Sequence, residues 1–92
     1  MTLLEIARSL DRLDGEMTVY ARKPWSESSP AIMEVEPIDG ALPEAAIREG
    51  MQYFLEVFIA REVLEDWELS IPSKASIVQR CARLISYAEN DA

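Results

Sequence analysis

The segment that most constrains the fold is residues 53–60, which are apolar apart from Glu56. An apolar run of this length fits a buried strand or a buried helix equally, so periodicity does not decide between them. We favour a third strand at about 52–58 followed by a helix at about 60–69. The alternative is one long, bent helix from Pro43 onward, whose apolar stripe is interrupted at Arg61 and Glu65.

Both ends of the chain carry clear helical patterns. Thr2 and Glu5 have the spacing of a capping box, and apolar residues then recur at helical spacing, which predicts a helix at about 3–13. We expect Gly15 to end this helix in a left-handed conformation and Ser73 to cap the last helix. The last helix carries one apolar stripe, made of Ile77, Val78, Cys81, Leu84, Ile85 and Ala88.

Two short strands are predicted between these helices. Residues 17–22 are rich in β-branched and aromatic side chains, and residues 31–36 alternate between inward apolar positions and an acidic face. Residues 23–30 contain two prolines and three serines, which indicates a loop. The simplest pairing of the two strands is therefore antiparallel.

A turn and a short helix separate the second strand from the apolar segment. Pro37 and Asp39-Gly40 close the strand, because proline cannot donate to a ladder and Asp-Gly favours a turn. Pro43 suits the first turn of a helix and Gly50 suits its end, which predicts a helix at about 43–49.

Together these elements predict a single α+β domain over residues 1–92. Its small antiparallel sheet has two or three strands, and three or four helices pack on one face while the other face stays at least partly exposed. A chain of 92 residues is too short for two cores. No apolar run approaches the roughly 18 residues of a membrane span, and no secretory signal is visible, so we expect a cytoplasmic protein.

The composition argues against an enzyme. The chain has no histidine, and its one cysteine, Cys81, lies on an apolar helical stripe, where we expect a buried core residue. No phosphate-binding glycine loop, paired-cysteine motif or zinc-protease motif is present. Glu34 and Glu36 could form a catalytic pair, but nothing in the sequence supplies the burial that such a pair needs. We therefore predict a protein without catalytic activity, cofactor or metal.

The negative charge is concentrated in the middle of the chain. Residues 24–72 contain eleven acidic side chains and two arginines, a net charge of −9, whereas the whole chain carries −8. Such a field repels nucleic acids and anionic lipids and attracts cationic partners. Direct binding to nucleic acid or membrane is thus disfavoured, and the charge serves either solubility or the recognition of a basic protein.

Five residues are candidates for contact with a basic partner. Trp25 lies beside Lys23 in the predicted loop, where it either anchors an interface or folds back over the edge of the core. Glu34 and Glu36 share one face of the second strand, and the alternative for them is a solvated sheet face. Tyr20, on the first strand, completes the set.

Three stretches carry a family resemblance: Lys23-Pro24-Trp25, residues 53–67, and Cys81-Ala82-Arg83-Leu84. Across most of its length the chain resembles a family of small, acidic bacterial proteins of unknown function. That family has no assigned activity, so the resemblance implies no catalytic or binding residue. In size and charge, though in no motif, the chain is also similar to immunity proteins and other small inhibitors of basic toxins.

These observations predict a protein–protein interaction module of the immunity or inhibitor type that binds a basic partner. One alternative is a structural homodimer with no intrinsic activity, in which an exposed sheet face or an edge strand pairs across a twofold axis. Another is a mimic of nucleic acid, whose carboxylates take the place of phosphates.

Overall fold

A computed structural model of the chain describes residues 1–91. It contains a three-stranded antiparallel sheet and four α-helices, which confirms the predicted α+β fold. The strands are β1 (Thr18–Ala21), β2 (Ala31–Glu34) and β3 (Gln52–Glu56). The helices are α1 (Leu3–Ser9), α2 (Glu44–Arg48), α3 (Val57–Ser70) and α4 (Ile77–Asn90), and a 3₁₀ turn at Leu10–Arg12 extends α1.

β1 is the central strand of the sheet. It pairs antiparallel with β2 on one side and with β3 on the other, and all four of its residues are buried. The predicted antiparallel pairing of the first two strands is confirmed. β2 and β3 are the two edges of the sheet.

The pairing of β1 with β3 contains a β-bulge. Val19 lies opposite Leu55, and the next residue, Tyr20, lies opposite Tyr53, so Phe54 is an additional residue in β3. Phe54 and Leu55 therefore both contribute to the core under the helices. The bulge also changes which residues of β3 reach the other face of the sheet.

The main core lies between one face of the sheet and the helices α1, α3 and α4. Its buried members are Leu3, Ile6, Ala7, Leu10, Val19, Ala21, Ala31, Phe54, Leu55, Val57, Ala60, Leu64, Cys81 and Leu84. β1 contributes its alternate residues to this core because successive side chains of a strand point to opposite faces.

The opposite face of the sheet is covered only in part, by α2. Tyr20 and Ile32 form a second, smaller cluster there with Ala46 of α2 and with Met51. Gly50, at a φ of 67°, turns the chain from α2 towards β3 in a conformation that other residues rarely adopt. Three helices thus pack on one face of the sheet and the fourth lies on the other.

Residues 53–60 form the end of a strand and the beginning of a helix with no loop between them. β3 ends at Glu56 and α3 begins at Val57, so the predicted strand and helix are confirmed and the single long helix is wrong. The Val57 amide donates to the Met17 carbonyl at 3.0 Å. This bond keeps the start of α3 against the beginning of β1, which a continuous helix could not do.

Arg61 joins α3 to the end of the first helical segment. Its guanidinium donates to the carbonyl oxygens of Leu10, at 3.0 Å, and of Leu13. The Leu10 carbonyl also accepts from the Leu13 amide, at 3.3 Å, and the Leu13 carbonyl lies just beyond the 3₁₀ turn, where helical amides no longer reach it. The prediction of a left-handed Gly15 is wrong, because Gly40 and Gly50 are the glycines with positive φ in residues 1–91, and Arg61 supplies the termination instead.

Two sequence assignments around α4 are wrong. The N-cap is Ser76 and not Ser73: the Ser76 hydroxyl accepts from the Gln79 amide at 3.1 Å, and the Gln79 side chain accepts from the Ser76 amide at 2.8 Å. The helix begins there because this pair forms a complete capping box. Val78 is 53% exposed and lies outside the apolar stripe. A residue in the first turn of a helix is buried only if another element packs against it, and the spacing of apolar residues does not show whether one does.

We expect Ser76→Ala to lower the free energy of unfolding by about 1 kcal/mol, because one helical amide loses its acceptor. The matched control, Ser73→Ala, removes a hydroxyl that caps nothing and should change the free energy by less than about 0.5 kcal/mol. Urea unfolding followed by circular dichroism measures both values. Equal losses in the two variants would contradict the assignment of the cap.

Candidate partner-binding face

Carboxylates and phenols meet on the face of the sheet that α2 covers only in part. The cross-strand register places Glu34, Thr18 and Glu56 in one row across the three strands. In the next row, Tyr20 is paired with Tyr53. Thr18 is buried, and it lies between the two longer acidic side chains in this row.

Glu36 adds a third carboxylate beside these rows. β2 ends at Glu34, two residues earlier than predicted, because Glu34 pairs with Thr18, the first residue of its partner strand β1. Glu36 therefore lies outside the ladder, and its charge acts on the hydroxyls of both tyrosines. We call the following set the acid–tyrosine face: Thr18, Tyr20, Glu34, Glu36, Tyr53 and Glu56.

The Tyr20 hydroxyl is buried without a hydrogen-bond partner. The residue is 1% exposed, and no group of the described chain meets the phenol oxygen in hydrogen-bond geometry, although the Thr18 hydroxyl lies near enough to favour the phenolate slightly. Burial raises the pKa of Tyr20, and the charge of Glu36 raises it further. A buried polar group without a hydrogen-bond partner lowers the free energy of unfolding by about 1–3 kcal/mol, so this hydroxyl destabilises the folded protein.

Tyr53 stands beside Tyr20 at the same site. The two rings meet edge to face, with centroids 6.3 Å apart and an interplanar angle of 82°. Burial raises the pKa of Tyr53, the charge of Glu56 adds to this, and a backbone hydrogen bond at Glu56 opposes it. Because the ring is 37% exposed, Tyr53 offers an aromatic surface next to the carboxylates.

The carboxylates of this face have no cationic partner within residues 1–91. The ion pairs there are Arg22–Glu49, Arg48–Glu44 and Arg80–Glu68. Glu34, Glu36 and Glu56 take part in none of them, so their negative charges add. The face therefore carries a negative charge that no ion pair within residues 1–91 neutralises.

Trp25 and Lys23 lie apart from this face. The indole Nε1 donates to the Ala21 carbonyl at 3.2 Å, and the indole ring packs edge to face on Phe54, with centroids 4.9 Å apart. Lys23 Nζ lies 4.7 Å from the centroid of the same indole ring. Trp25 thus folds back over the edge of the main core. The structure brings the other three sequence candidates together and leaves these two outside, and their role as partner contacts stays a prediction.

Cys81 is buried in the main core, at 2% exposure. Burial raises the pKa of its thiol from 9.0 to about 11, with a smaller contribution from the charge of Glu27. A thiol that stays protonated at neutral pH is a poor nucleophile and a poor metal ligand. Within residues 1–91, no three side chains of the metal-binding types are arranged to hold a metal ion.

A groove of about 480 Å³ lies on the helical side, between the 3₁₀ turn, α3 and α4. Its arginines hold the helices together: Arg61 donates to backbone carbonyls, and Arg80 lies 3.5 Å from the Glu68 carboxylate. Because these cations already have structural partners, we place the candidate site on the acid–tyrosine face.

Comparison with known proteins gives no match to a family model, to a curated protein or to a solved structure. The family resemblance drawn from the sequence therefore stays a prediction. No helix in residues 1–91 is both long enough and apolar enough to cross a membrane.

Sequence reasoning missed Thr18, Tyr53 and Glu56 as members of the site. For Thr18 a signal existed, since alternation in the first strand places it on the same side as Tyr20. Tyr53 and Glu56 are three residues apart, and simple alternation puts such residues on opposite faces of a strand. Only the bulge brings them to one face.

Tyr20→Phe should raise the free energy of unfolding by about 1 kcal/mol, because it removes a buried hydroxyl that has no partner. Tyr53→Phe, which removes a hydroxyl from a partly exposed side chain, should change it by less than about 0.5 kcal/mol. Urea unfolding of both variants tests this. A loss of stability of about 1 kcal/mol or more in Tyr20→Phe would mean that the hydroxyl is hydrogen-bonded in solution.

Stability should fall as the pH rises above 9.0, because the Cys81 thiol ionises near that value in the unfolded chain but only at about 11 in the folded protein. Over this interval the unfolded state binds fewer protons, so the free energy of unfolding decreases with pH by up to about 1.4 kcal/mol per unit. Urea unfolding across this range should show a shallower decline for Cys81→Ala. Identical slopes in the two proteins would contradict the raised pKa of the thiol.

Proposed function

We propose that this protein is an interaction module of the immunity or inhibitor type, which binds a basic protein partner through the acid–tyrosine face. The observation that carries the proposal is the set of three carboxylates without an ion pair in residues 1–91, which share one side of the sheet with Tyr20 and Tyr53. The proposal includes a bacterial origin, a cytoplasmic location and no catalytic activity.

The charge of the chain supports a basic partner. The net −9 of residues 24–72 includes every carboxylate of the acid–tyrosine face. A single-sign field of this kind speeds encounter with an oppositely charged protein and excludes partners of like charge. Nucleic acids and anionic membranes are thereby disfavoured as direct partners.

Exposed apolar side chains near the acids support a protein rather than a small cation. Val35, Ile38, Leu42 and Ile47 belong to the segment that runs from β2 through α2 towards β3, and they are 67%, 107%, 36% and 63% exposed. α2 lies on the same face of the sheet as Tyr20. Protein interfaces combine apolar contact area with complementary charge in this way.

Charge reversal on the face tests the proposal. We expect Glu34→Lys combined with Glu36→Lys to reduce capture of a basic protein from a lysate of the source organism to about a tenth of wild type. The matched control, Glu62→Lys with Glu65→Lys, makes the same change of charge on exposed positions of α3 and should retain capture. Raising the salt from about 50 mM to about 300 mM should weaken capture by wild type.

Two results would contradict the proposal: equal capture by the two double variants, or no basic protein retained by wild type. Calorimetry with the purified partner then measures the same difference as a change in Kd. A change confined to the rate of association would place the acids at the rim of the interface instead of its centre.

A structural homodimer is the second candidate, and the edges of the sheet favour it. β2 and β3 are the edge strands of the sheet. The outer side of β2 is bridged at its start, where the Ala31 amide donates to the Met1 carbonyl at 2.6 Å, but exposed Val35 follows its end and exposed Ile38 lies three residues further on. Sedimentation of the purified chain separates the candidates. A monomer at high concentration eliminates the homodimer, whereas a dimer that persists in the Glu34→Lys, Glu36→Lys variant supports it.

A further inference from the structure

We propose that the outer edge of β2, from Met33 to Glu36, accepts an extended segment of the basic partner as a fourth, antiparallel strand. Basic and apolar residues alternate in this segment. The inference rests on the proposed function, since it describes how the basic partner meets the carboxylates of the acid–tyrosine face.

The start of this edge already carries strand pairing. Thr2 forms an antiparallel bridge with Pro30, and the Ala31 amide donates to the Met1 carbonyl at 2.6 Å. The amide of Ala31 therefore points away from β1, towards the outside of the sheet. Residues 1 and 2 show that the edge has the geometry that a further antiparallel strand needs.

Beyond Ala31 the edge has no partner within residues 1–91. Backbone groups of successive strand residues point to opposite sides in the plane of the sheet. Because those of Ala31 point outwards, those of Ile32 and Glu34 face β1 and those of Met33 point outwards again. Met33 and Val35 form no backbone hydrogen bond outside the sheet in this part of the chain. A partner can reach them, since Met33 is partly exposed and Val35 is 67% exposed.

The alternation of side chains continues past the end of β2. Burial raises the pKa of Tyr20, and the charges of Glu36 and Glu34 raise it further, so both carboxylates lie on the acid–tyrosine face. Val35, between them, therefore presents its side chain on the other face. Met33 is on that face too, where it packs against the main core.

These two faces determine the sequence of the added strand. Directly opposed residues of an antiparallel pair lie on the same face, with Cβ atoms about 5 Å apart. Residues of the partner opposite Glu34 and Glu36 therefore carry positive charge, and those opposite Met33 and Val35 are apolar. The main chain of the segment exchanges hydrogen bonds with Met33 and Val35, which is the usual way in which a peptide adds to a sheet edge.

A second copy of this chain fits the edge less well. Antiparallel pairing of β2 with itself would bring Glu34 and Glu36 of the two copies together on one face. Like charges at opposed positions destabilise a sheet, and the net charge of −8 on each copy adds to the repulsion. A basic segment is attracted by the same charges.

The test is an NMR titration of the full ¹⁵N-labelled chain with the peptide acetyl-Lys-Val-Lys-Val-Lys-amide. A rearranged peptide of the same composition, acetyl-Lys-Lys-Val-Val-Lys-amide, controls for charge alone. We expect amide shifts centred on Met33, Glu34 and Val35, and at least about fivefold tighter binding of the alternating peptide.

Charge-neutralising variants show which acids attract the peptide. Glu34→Gln combined with Glu36→Gln should weaken binding of the alternating peptide by about tenfold. The matched control, Glu62→Gln with Glu65→Gln on exposed positions of α3, should change it by less than about twofold.

Methylation of the peptide backbone separates strand addition from simple charge attraction and leaves the protein unaltered. N-methyl groups on both valines remove the amides that donate to the Met33 and Val35 carbonyls, so we expect at least about tenfold weaker binding. An N-methyl group on the central lysine points away from β2 and should change the affinity by less than about twofold.

Equal affinity for the alternating and rearranged peptides, shifts centred on another surface, or equal losses from methylation at valine and at lysine would each overturn the inference. Shifts at Met33 and Val35 that grow with protein concentration in the absence of peptide would assign the edge to a second copy and overturn it too. If no peptide binds at this edge while capture of the basic protein still depends on Glu34 and Glu36, the proposed function stands and only the added strand falls.

Discussion

The structure depends on one strand, β1, which is buried on both faces and paired on both sides. Val19 and Ala21 face the core formed with α1, α3 and α4, whereas Thr18 and Tyr20 face the side that α2 covers in part. A shift of this strand by one residue would exchange the two sets and place a tyrosine in the main core. The packing of the helices and the candidate site therefore depend on the same register.

The bulge opposite β1 links the packing of the core to the candidate site. It lets Phe54 and Leu55 both enter the main core, which adds apolar burial on the helical side. The same extra residue places Tyr53 and Glu56 together on the other face, beside Thr18. Packing on one side of the sheet thus determines which residues of β3 share the other side, and the two cannot be altered independently.

Local sequence patterns predicted most of the elements. These patterns are short-range features: the apolar periodicity of α1 and α4, the alternation in β2 and the turn at Gly50. The structure contains the helices, the strand and the turn that they predict. One error was local, since the capping box of Ser76 and Gln79 is visible in the sequence, whereas the others lie where a residue depends on a distant partner. The first helical segment ends through Arg61, which comes from α3, and not through Gly15.

The candidate site was predicted only in part for the same reason. Glu34, Glu36 and Tyr20 could be selected because strand alternation and charge are visible in the chain. Trp25 could not be assigned, since a tryptophan in a loop can either anchor an interface or pack over the edge of the core. The contact of its ring with Phe54 shows that it packs on the core, and this contact is not visible in the sequence.

By itself, the sequence determined an acidic α+β domain whose negative charge lies in residues 24–72, because composition, alternation and capping act over a few residues. Only the tertiary structure decided that Glu34, Glu36 and Glu56 lie on the same side of the sheet as Tyr20 and Tyr53. That arrangement requires three strands in one register and a bulge in β3, and the energies that set a register are summed over contacts between segments far apart in the chain.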